Sequence, residues 1–439
     1  MRVALIAPTA LDMAGRPIKQ RRLYLPGLTL QMLAAVTPDD IELRLVSETV
    51  DEIPYDEHWD LVGLTGMGSG IVRAWQIADE FRRRDIPVVI GGIAASLGEP
   101  SWTLEHADSL VIGEAEEIWP VVLEDASAGR LQQIYRRNRP PPIESLPVPR
   151  YDLMQGPEFG RWRPVQATRG CPFTCTFCSI TSFFGQAYRK RPVDQVLRDV
   201  REAKRYSSRY IAFIDDNIGV DWEYCQELWT ALIPEKIIWI SQCSLHIADQ
   251  PEMLDLAYRS GCRLLSFGIE STNPASLEGI DKAWNRPERY RQALQRIRRH
   301  GIEVSTEMII GMDQDDGSVF QRTYDFIMQN RIAVPRIHIM TPVPGTPLYE
   351  EMVRSGRIIS REFNRYSGGQ VVFQPRNFSP PELQAGYWKL YERLFSWRAM
   401  RRRIGFNHLQ VSPYLRAIVV AVNLHYRSHI KQRICPGIV

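Results

Sequence analysis

No run of apolar residues in this 439-residue chain reaches the ~20 positions that a membrane-spanning helix needs. The amino terminus also lacks a cleavable signal pattern, because its first residues lead directly into a strand-like apolar segment. Neither sign of charge dominates, since 54 lysines and arginines against 51 acidic residues give a formal net charge of +3. That balance gives no reason to expect a nucleic acid as partner, which would favour a concentrated basic face. These absences predict a cytoplasmic protein.

Cysteine is also scarce, and the seven cysteines of the chain are an odd number. Three of them crowd together as Cys171, Cys175 and Cys178, a distribution that favours a metal over disulfides in a compartment where thiols stay reduced. Structural zinc needs four ligands, commonly as two pairs, and no second Cys/His pair lies nearby. A 4Fe–4S cluster normally takes four thiolates, so three local cysteines would leave one iron free for a substrate. Chance clustering of buried cysteines is the remaining alternative.

Residues 1–130 alternate short apolar runs with helical patterns. Strands alternating with helices predict an α/β domain with a doubly wound, Rossmann-like parallel sheet, whose ligand lies at the carboxyl ends of the strands. Prolines concentrate in residues 131–163, which predicts a stiff linker. The predicted strands of the first domain are 3–7, 41–46, 60–65, 87–90 and 109–112, with a helix over 71–84.

A second alternating series occupies residues 164–355 and predicts a barrel or partial barrel. Residues 356–439 do not continue the alternation of strands and helices, and they are predicted to form a small, mostly helical C-terminal region. The predicted strands of the second domain are 210–214, 237–241, 264–269, 304–310 and 337–340. Its predicted helices are 193–206, 222–232, 286–300 and 318–331.

The Cys-x3-Cys-x2-Cys spacing, with Phe177 before the last cysteine, resembles the signature of the radical S-adenosylmethionine superfamily. The resemblance implies a partial (β/α)6 barrel in which Cys171, Cys175 and Cys178 hold a 4Fe–4S cluster. It implies that S-adenosylmethionine chelates the open iron and is cleaved to a 5′-deoxyadenosyl radical. A reducing flavodoxin or ferredoxin is the expected electron donor.

The same resemblance assigns polar residues at the strand ends to S-adenosylmethionine. It places Asp215 and Asp216 near the methionyl amino group, Glu270 near the ribose and Gly311 near the adenine. For each of them a polar strand end or a helix cap is the alternative interpretation. The residues expected to bind this cofactor are Phe177, Asp215, Asp216, Gln242, Ser244, Glu270, Ser271 and Gly311.

The first domain resembles the cobalamin-binding domain of the cobalamin-dependent radical subfamily. Two features depart from that pattern. The Asp-x-His-x-x-Gly motif that supplies a lower histidine ligand is absent, and His58, which superficially resembles it, is expected on the surface. Ala94 stands where subfamily members often have a histidine. The residues expected to contact cobalamin are Pro8, Thr65, Gly66, Gly68, Ser69, Gly91, Gly92, Ala94, Gly113 and Glu114.

These cofactors together predict a methyltransferase that methylates an unactivated carbon of a hydrophobic small molecule, either a lipid or isoprenoid or a tetrapyrrole. A non-methylating enzyme of the same type, catalysing cyclisation, ring rearrangement or oxidation, is the alternative. A cofactor-sensing protein is a third interpretation, and production of 5′-deoxyadenosine distinguishes it from both enzymes.

The chain end is the other unusual feature, because no acidic residue follows Glu392. Basic residues there are interleaved with apolar and aromatic ones, including Phe406 and His408. Such a segment suits an anionic membrane surface and predicts peripheral membrane contact. The alternative is a C-terminal helix docked on the barrel with its basic side in solvent.

Overall fold

The computed structural model describes residues 1–405 and 412–437. Six parallel strands form its first sheet, in the order β2-β1-β3-β4-β5-β6. This order reverses between β1 and β3, which places the ligand crevice of such a sheet beside the loops that follow these two strands. The strands are β1 (Arg2–Ala7), β2 (Glu42–Ser47), β3 (Leu61–Thr65), β4 (Val88–Gly91), β5 (Ser109–Ile112) and β6 (Ile134–Arg136).

Helices cover both faces of the first sheet, as the alternation of side chains along β1 shows. Val3 and Leu5 pack with the first and last helices, whereas Ala4 and Ile6 pack with the helix that follows β3. The doubly wound architecture is therefore confirmed. Its helices are α1 (Leu28–Ala35), α2 (Ile71–Arg82), α3 (Ile93–Leu97), α4 (Pro100–Leu104) and α5 (Trp119–Ser127).

The sixth strand, β6, lies inside the segment predicted as a linker. It pairs with β5 and buries Tyr135 against the first core. A strand of three residues is too short to show alternation in the sequence.

The second sheet is also parallel, in the order β14-β13-β12-β11-β10-β7, as the partial (β/α)6 barrel predicts. A short antiparallel pair, β8 and β9, flanks the cysteine segment. The strands are β7 (Arg163–Val165), β8 (Thr168–Arg169), β9 (Arg189–Lys190), β10 (Tyr210–Phe213), β11 (Ile238–Gln242), β12 (Cys262–Glu270), β13 (Glu303–Ile310) and β14 (Val334–Ile339).

Helices separate the barrel strands, and the predicted helix 286–300 begins later than expected because residues 287–289 form a 3-10 turn. The barrel helices are α6 (Ser179–Phe184), α7 (Val193–Ser207), α8 (Trp222–Leu232), α9 (Pro251–Arg259), α10 (Pro274–Glu278), α11 (Tyr290–Arg299), α12 (Val319–Gln329) and α13 (Pro347–Arg354).

The C-terminal region packs on the barrel through α14 (Pro380–Leu394), α15 (Trp397–Ile404) and α16 (Pro413–Lys431). The buried Arg403 donates to the backbone oxygens of Ile332 and Leu394. The Tyr391 hydroxyl accepts from the Ile337 N–H at 2.7 Å and donates to the Ile337 carbonyl at 2.9 Å. Both backbone groups of Ile337 on the outer side of the edge strand β14 are therefore hydrogen-bonded.

Phe406 and His408 lie outside the described residues. Within residues 1–405 and 412–437, no helix combines the length and the apolar character that crossing a bilayer requires.

Candidate active site

The three cysteines lie on the loop between β8 and α6, at the carboxyl end of the barrel. Neighbouring segments fix the loop, since the Thr176 N–H donates to the Ile280 carbonyl and the Thr176 carbonyl accepts from the Leu348 N–H. The Cys171 thiol accepts a long hydrogen bond from Asn217 Nδ2 at 3.9 Å. All three cysteines are free of disulfides. Three sulfur donors on one supported loop are the set that a 4Fe–4S cluster with one open iron needs.

The protonation of these thiols follows from their burial, which raises the pKa of Cys171 and raises that of Cys175 to about 11. Metal ligation requires the thiolate, so cluster assembly must release these protons. In the described part of the chain, no group of three or more His, Cys, Asp or Glu side chains is arranged to hold a single metal ion.

The two aspartates after β10 support the backbone around the cysteines. Asp215 is completely buried and accepts from the N–H and the hydroxyl of Thr168 at 2.5 and 2.6 Å. Burial raises its pKa to about 7. Asp216 accepts from the N–H of Gly170 at 3.0 Å, where φ is +86° and a Cβ would lie 2.1 Å from the Ala187 carbonyl oxygen. Asp215 is thereby engaged in holding β8, and contact with the methionyl amino group stays a prediction for both Asp215 and Asp216.

Glu270 ends β12 in the left-handed region, with φ +58°, and forms a buried ion pair with Lys282 at 2.7 Å. Gly268 makes room for this pair, because a Cβ there would lie 2.4 Å from Glu270 Oε1. The positive charge of Lys282 acts to lower the pKa of Cys175, so Lys282 is a cation close to the cysteine loop. The sequence interpretation missed Lys282, because nothing in the sequence connects it to Glu270.

The remaining predicted residues of this cofactor site lie at neighbouring strand ends around the same mouth. Gln242 is exposed, whereas the Ser244 N–H donates to Asn217 Oδ1 at 2.9 Å. Ser271 Oγ accepts from the Asn273 N–H, and the Gly311 N–H donates to Asp315 Oδ2, each at 3.0 Å. Phe177 packs partly against the barrel core. The hydrogen bonds of Ser271 and Gly311 are those of turns, so their contact with S-adenosylmethionine stays a prediction.

The loops after β3, β4 and β5 form the predicted cobalamin edge of the first sheet. A Cβ placed on Gly68 or Gly113 would meet nothing within 4 Å, so both face open space. Met67 projects from the same edge with 69% of its surface exposed, and it was not singled out in the sequence. Small residues beside open space, together with the exposed apolar side chain of Met67, suit the binding of a wide, flat corrin.

Gly92 has a different role from these open glycines. Its φ is +100°, and a Cβ would lie 2.8 Å from the Gly66 carbonyl oxygen and 2.9 Å from Thr65 Oγ1. The Ala94 N–H donates to the same Gly66 carbonyl at 3.0 Å. Gly92 is therefore needed for the loop itself, whether or not a corrin is bound.

The other members of this edge are less informative. Gly91 ends β4 and its carbonyl accepts from Gly66 at 2.7 Å, while Ser69 is buried. Pro8 follows β1 at the same edge. His58 lies on the surface, with 78% of its side chain exposed beside Asp60, as expected.

Glu114 follows β5, but its carboxylate is bound by arginines of the second domain. Arg169 and Arg189 each lie 2.5 Å from it, and Arg169 also pairs with Glu116. We call Glu114, Glu116, Arg169 and Arg189 the interdomain ion cluster. Its side chains are at most 18% exposed, and Arg169 lies two residues before Cys171. The first sheet is thereby attached directly to the cysteine loop.

Comparison with known proteins agrees with this geometry. The profile of the Radical SAM superfamily matches residues 165–327. Bacteriochlorophyllide d C-12(1)-methyltransferase from Chlorobaculum tepidum is 30% identical over 386 residues, which are 86% of this chain and 84% of that protein. Bacteriochlorophyllide d C-8(2)-methyltransferase from the same organism is 28% identical over 92% of both chains.

A solved structure shares the overall fold. The radical S-adenosylmethionine methyltransferase TsrM from Kitasatospora setae, with cobalamin and a [4Fe-4S] cluster bound, superposes with a TM-score of 0.72. The match covers 98% of this chain and 97% of TsrM at 17% identity, and so describes the shared fold. Because one relative is 30% identical over 86% of the chain, the chain belongs to the cobalamin-dependent radical S-adenosylmethionine methyltransferases, enzymes that use a 4Fe–4S cluster, S-adenosylmethionine and cobalamin.

Proposed function

We propose that this enzyme methylates an unactivated carbon of a hydrophobic tetrapyrrole. The observation that carries the proposal is the interdomain ion cluster, which attaches the cobalamin edge of the first sheet to the cysteine loop. The two predicted cofactor sites are therefore joined by buried ion pairs, which supports a reaction that uses both cofactors together. The tetrapyrrole class is supported by the two relatives that match nearly the whole chain.

When bound, the three cofactors supply hydrogen-atom abstraction from the substrate and the methyl group that replaces the hydrogen. The residues of this chain supply binding and placement, while the cofactors carry the reactive chemistry. Asp215 and Asp216 hold the backbone of the cysteine loop, and Lys282 with Glu270 provides a fixed charge pair beside it. A reducing flavodoxin or ferredoxin, as source of the electron, is part of this proposal.

The origin of the transferred carbon distinguishes methylation from the non-methylating alternative. With S-adenosylmethionine deuterated in its methyl group and bacteriochlorophyllide d as substrate, we expect mass spectrometry to find the label in the product. Both 5′-deoxyadenosine and S-adenosylhomocysteine should accumulate, because the proposed reaction would consume one molecule of S-adenosylmethionine for hydrogen abstraction and another as the methyl donor. Formation of 5′-deoxyadenosine alone, with an unlabelled altered substrate, would favour cyclisation, rearrangement or oxidation.

Peripheral membrane contact through the tail is a second part of the proposal. Helix α16 buries Leu415 and Val419 against the barrel, yet it leaves Val420 and Leu424 37% and 42% exposed. Trp397, on α15, is 65% exposed. The helix that carries Trp397 also carries three exposed arginines, namely Arg398, Arg401 and Arg402. Each basic residue contributes about 1 kcal/mol at an anionic surface, so the arrangement suits a hydrophobic substrate met at a membrane.

Co-sedimentation with phosphatidylserine-containing liposomes tests this contact. Truncation after Glu392 is unsuitable as a test, because it removes the buried Leu394 and Arg403 from the helices that pack on the barrel. We expect the double variant Val420→Gln/Leu424→Gln to lose salt-sensitive binding that the native protein shows. Ile359→Gln, at a 50% exposed apolar position elsewhere, is the control and should bind normally. Equal sedimentation of all three proteins would contradict membrane contact through α16.

A further inference from the structure

Three stacked aromatic rings lead away from the cysteine loop. Phe173 lies in that loop, two residues after Cys171 and two before Cys175. Its ring stacks on the indole of Trp284, with the ring centroids 4.0 Å apart and the planes inclined by 17°. The imidazole of His246 stacks on both, with its centroid 5.1 Å from Trp284 and 6.1 Å from Phe173. We call Phe173, Trp284 and His246 the aromatic stack, which links the cysteine loop to the loops that follow β11 and β12.

The end of β12 fixes the position of Trp284. Its neighbour Asn285 is buried and donates to the carbonyl oxygens of Gly268 and Ile269 at 3.0 and 3.3 Å. Lys282 Nζ lies over the indole, 5.2 Å from its centroid, so a cation–π contact adds to this support. The indole is therefore held against Phe173 by the same strand end that carries the Lys282–Glu270 ion pair.

The aromatic stack reaches the surface of the protein. All three of its residues are half-buried, so none of the rings is enclosed in the core. Trp284 and His246 line a surface groove between the 3-10 turn Leu245–Asp249 and the helix α11. The cysteine loop is thus connected to solvent at this groove through side chains that are in direct contact with one another.

Arginines surround the groove. Arg286 and Arg289 line it and are exposed, and Arg286 makes no ion pair or side-chain hydrogen bond within the described residues. Asp249 is the carboxylate that lines the groove, and it lies 4.0 Å from Arg289 and 3.8 Å from Arg296. Residues 286–299 contain six arginines and one glutamate. The positive charge of this face would attract an acidic partner.

We propose that the groove at the aromatic stack, with Arg286 and Arg289, docks the small acidic protein that supplies the electron. This inference rests on the proposed function, in which a flavodoxin or ferredoxin is the donor. Electron transfer slows steeply with distance, so the donor must dock where the cysteine loop is nearest to the surface. Aromatic residues and arginine are also enriched at protein interfaces, and electron-transfer complexes need only a small contact area.

The step itself changes no covalent bond in this chain. The donor is oxidised by one electron, and the 4Fe–4S cluster held by the three cysteines is reduced by that electron. The docking surface contributes orientation and a faster encounter, because opposite charges steer two proteins together.

Charge reversal on this face tests the inference. Oxidised acidic flavodoxin is titrated into the cofactor-loaded enzyme in a calorimeter at low and high salt. We expect Arg286→Glu/Arg289→Glu to raise the Kd about 10-fold or more at low salt, and the difference to shrink at high salt because the charges are screened. Formation of 5′-deoxyadenosine driven by reduced flavodoxin should slow to a similar extent. Formation driven by photoreduced deazaflavin, a small molecule that needs no docking surface, should stay at the native rate and show that the variant is folded.

Arg299→Glu/Arg402→Glu is the matched control, because it makes the same change in net charge at two other exposed positions. Arg299 ends α11, which leads into the start of β13, and the neighbour of Arg402 donates to the Ile332 carbonyl just before β14. Both positions therefore lie near the amino ends of the strands, opposite the cysteine loop. This variant should bind flavodoxin like the native enzyme.

Equal weakening in both double variants would mean that net charge alone acts, and it would overturn the inference. No binding by the native enzyme, or binding that Arg286→Glu/Arg289→Glu leaves intact, would also overturn it. A native dimer that this variant dissociates would show that a second copy of the chain covers the face instead. Methylation driven by deazaflavin without flavodoxin binding refutes only the docking surface. Flavodoxin binding that depends on Arg286 and Arg289, without any methyl transfer, refutes only the methyltransferase proposal.

Discussion

Replacing any one of Cys171, Cys175 or Cys178 with alanine is expected to abolish the brown absorbance of the reconstituted cluster and with it the cleavage of S-adenosylmethionine. The cluster has only these three protein ligands in the proposed arrangement, so the loss of one leaves too few thiolates to retain it. Absorbance and iron content after anaerobic reconstitution give the first measurement. Formation of 5′-deoxyadenosine under reducing conditions gives the second.

Cys262→Ala is a suitable control for these variants. Cys262 is fully buried on β12 and takes no part in the cysteine loop, so its replacement should leave the iron content unchanged. If a protein lacking all three loop cysteines still held a 4Fe–4S cluster and cleaved S-adenosylmethionine, the assignment of the active site would be wrong.

The second large effect is expected at the interdomain ion cluster. Glu114→Gln leaves Arg189 and part of Arg169 without a counter-charge in a site where Arg169 is only 8% exposed. Breaking a buried ion pair by removing one partner costs about 3–5 kcal/mol. We therefore expect a clear fall in the urea midpoint of unfolding. Because Arg169 adjoins the cysteine loop, we also expect an altered electron paramagnetic resonance spectrum of the reduced cluster.

Glu117→Gln provides the comparison, because Glu117 pairs with Arg137 at the surface, where both side chains are more than a third exposed. Exposed pairs contribute about 0–1 kcal/mol, so this variant should resemble the native protein in both measurements. Equal unfolding midpoints and unchanged cluster spectra for Glu114→Gln and Glu117→Gln would show that the interdomain ion cluster neither holds the domains nor positions the loop.

Much of the fold was predictable because regular alternation is visible in the sequence. The strand at 109–112 and the helix at 222–232 were predicted with the bounds that the structure has. The strands β6, β8 and β9 were not predicted, because two or three residues carry no measurable period. Their pairing depends on tertiary neighbours that sequence patterns do not contain.

The active site, like the fold, could be predicted only in part. The cysteines were identifiable because their spacing is itself the chemical signal. Glu114 was placed at the correct strand end, but its partners are 55 and 75 positions away in the chain and could not be inferred. Asn217 and Lys282 gain their significance only from contacts to Cys171 and Glu270 that folding creates. Strand ends are thus predictable as locations, whereas the contacts made there are not.

The hydroxyl of Tyr391 has a consequence for any attempt to dissect this protein. It satisfies both backbone groups of Ile337, so a helix of the C-terminal region completes the exposed side of the last barrel strand. A fragment ending near residue 355 would present this strand with free N–H and C=O groups, a template for pairing with other chains. The barrel and the helices after it therefore form one folding unit, and an isolated barrel should be recovered as aggregate.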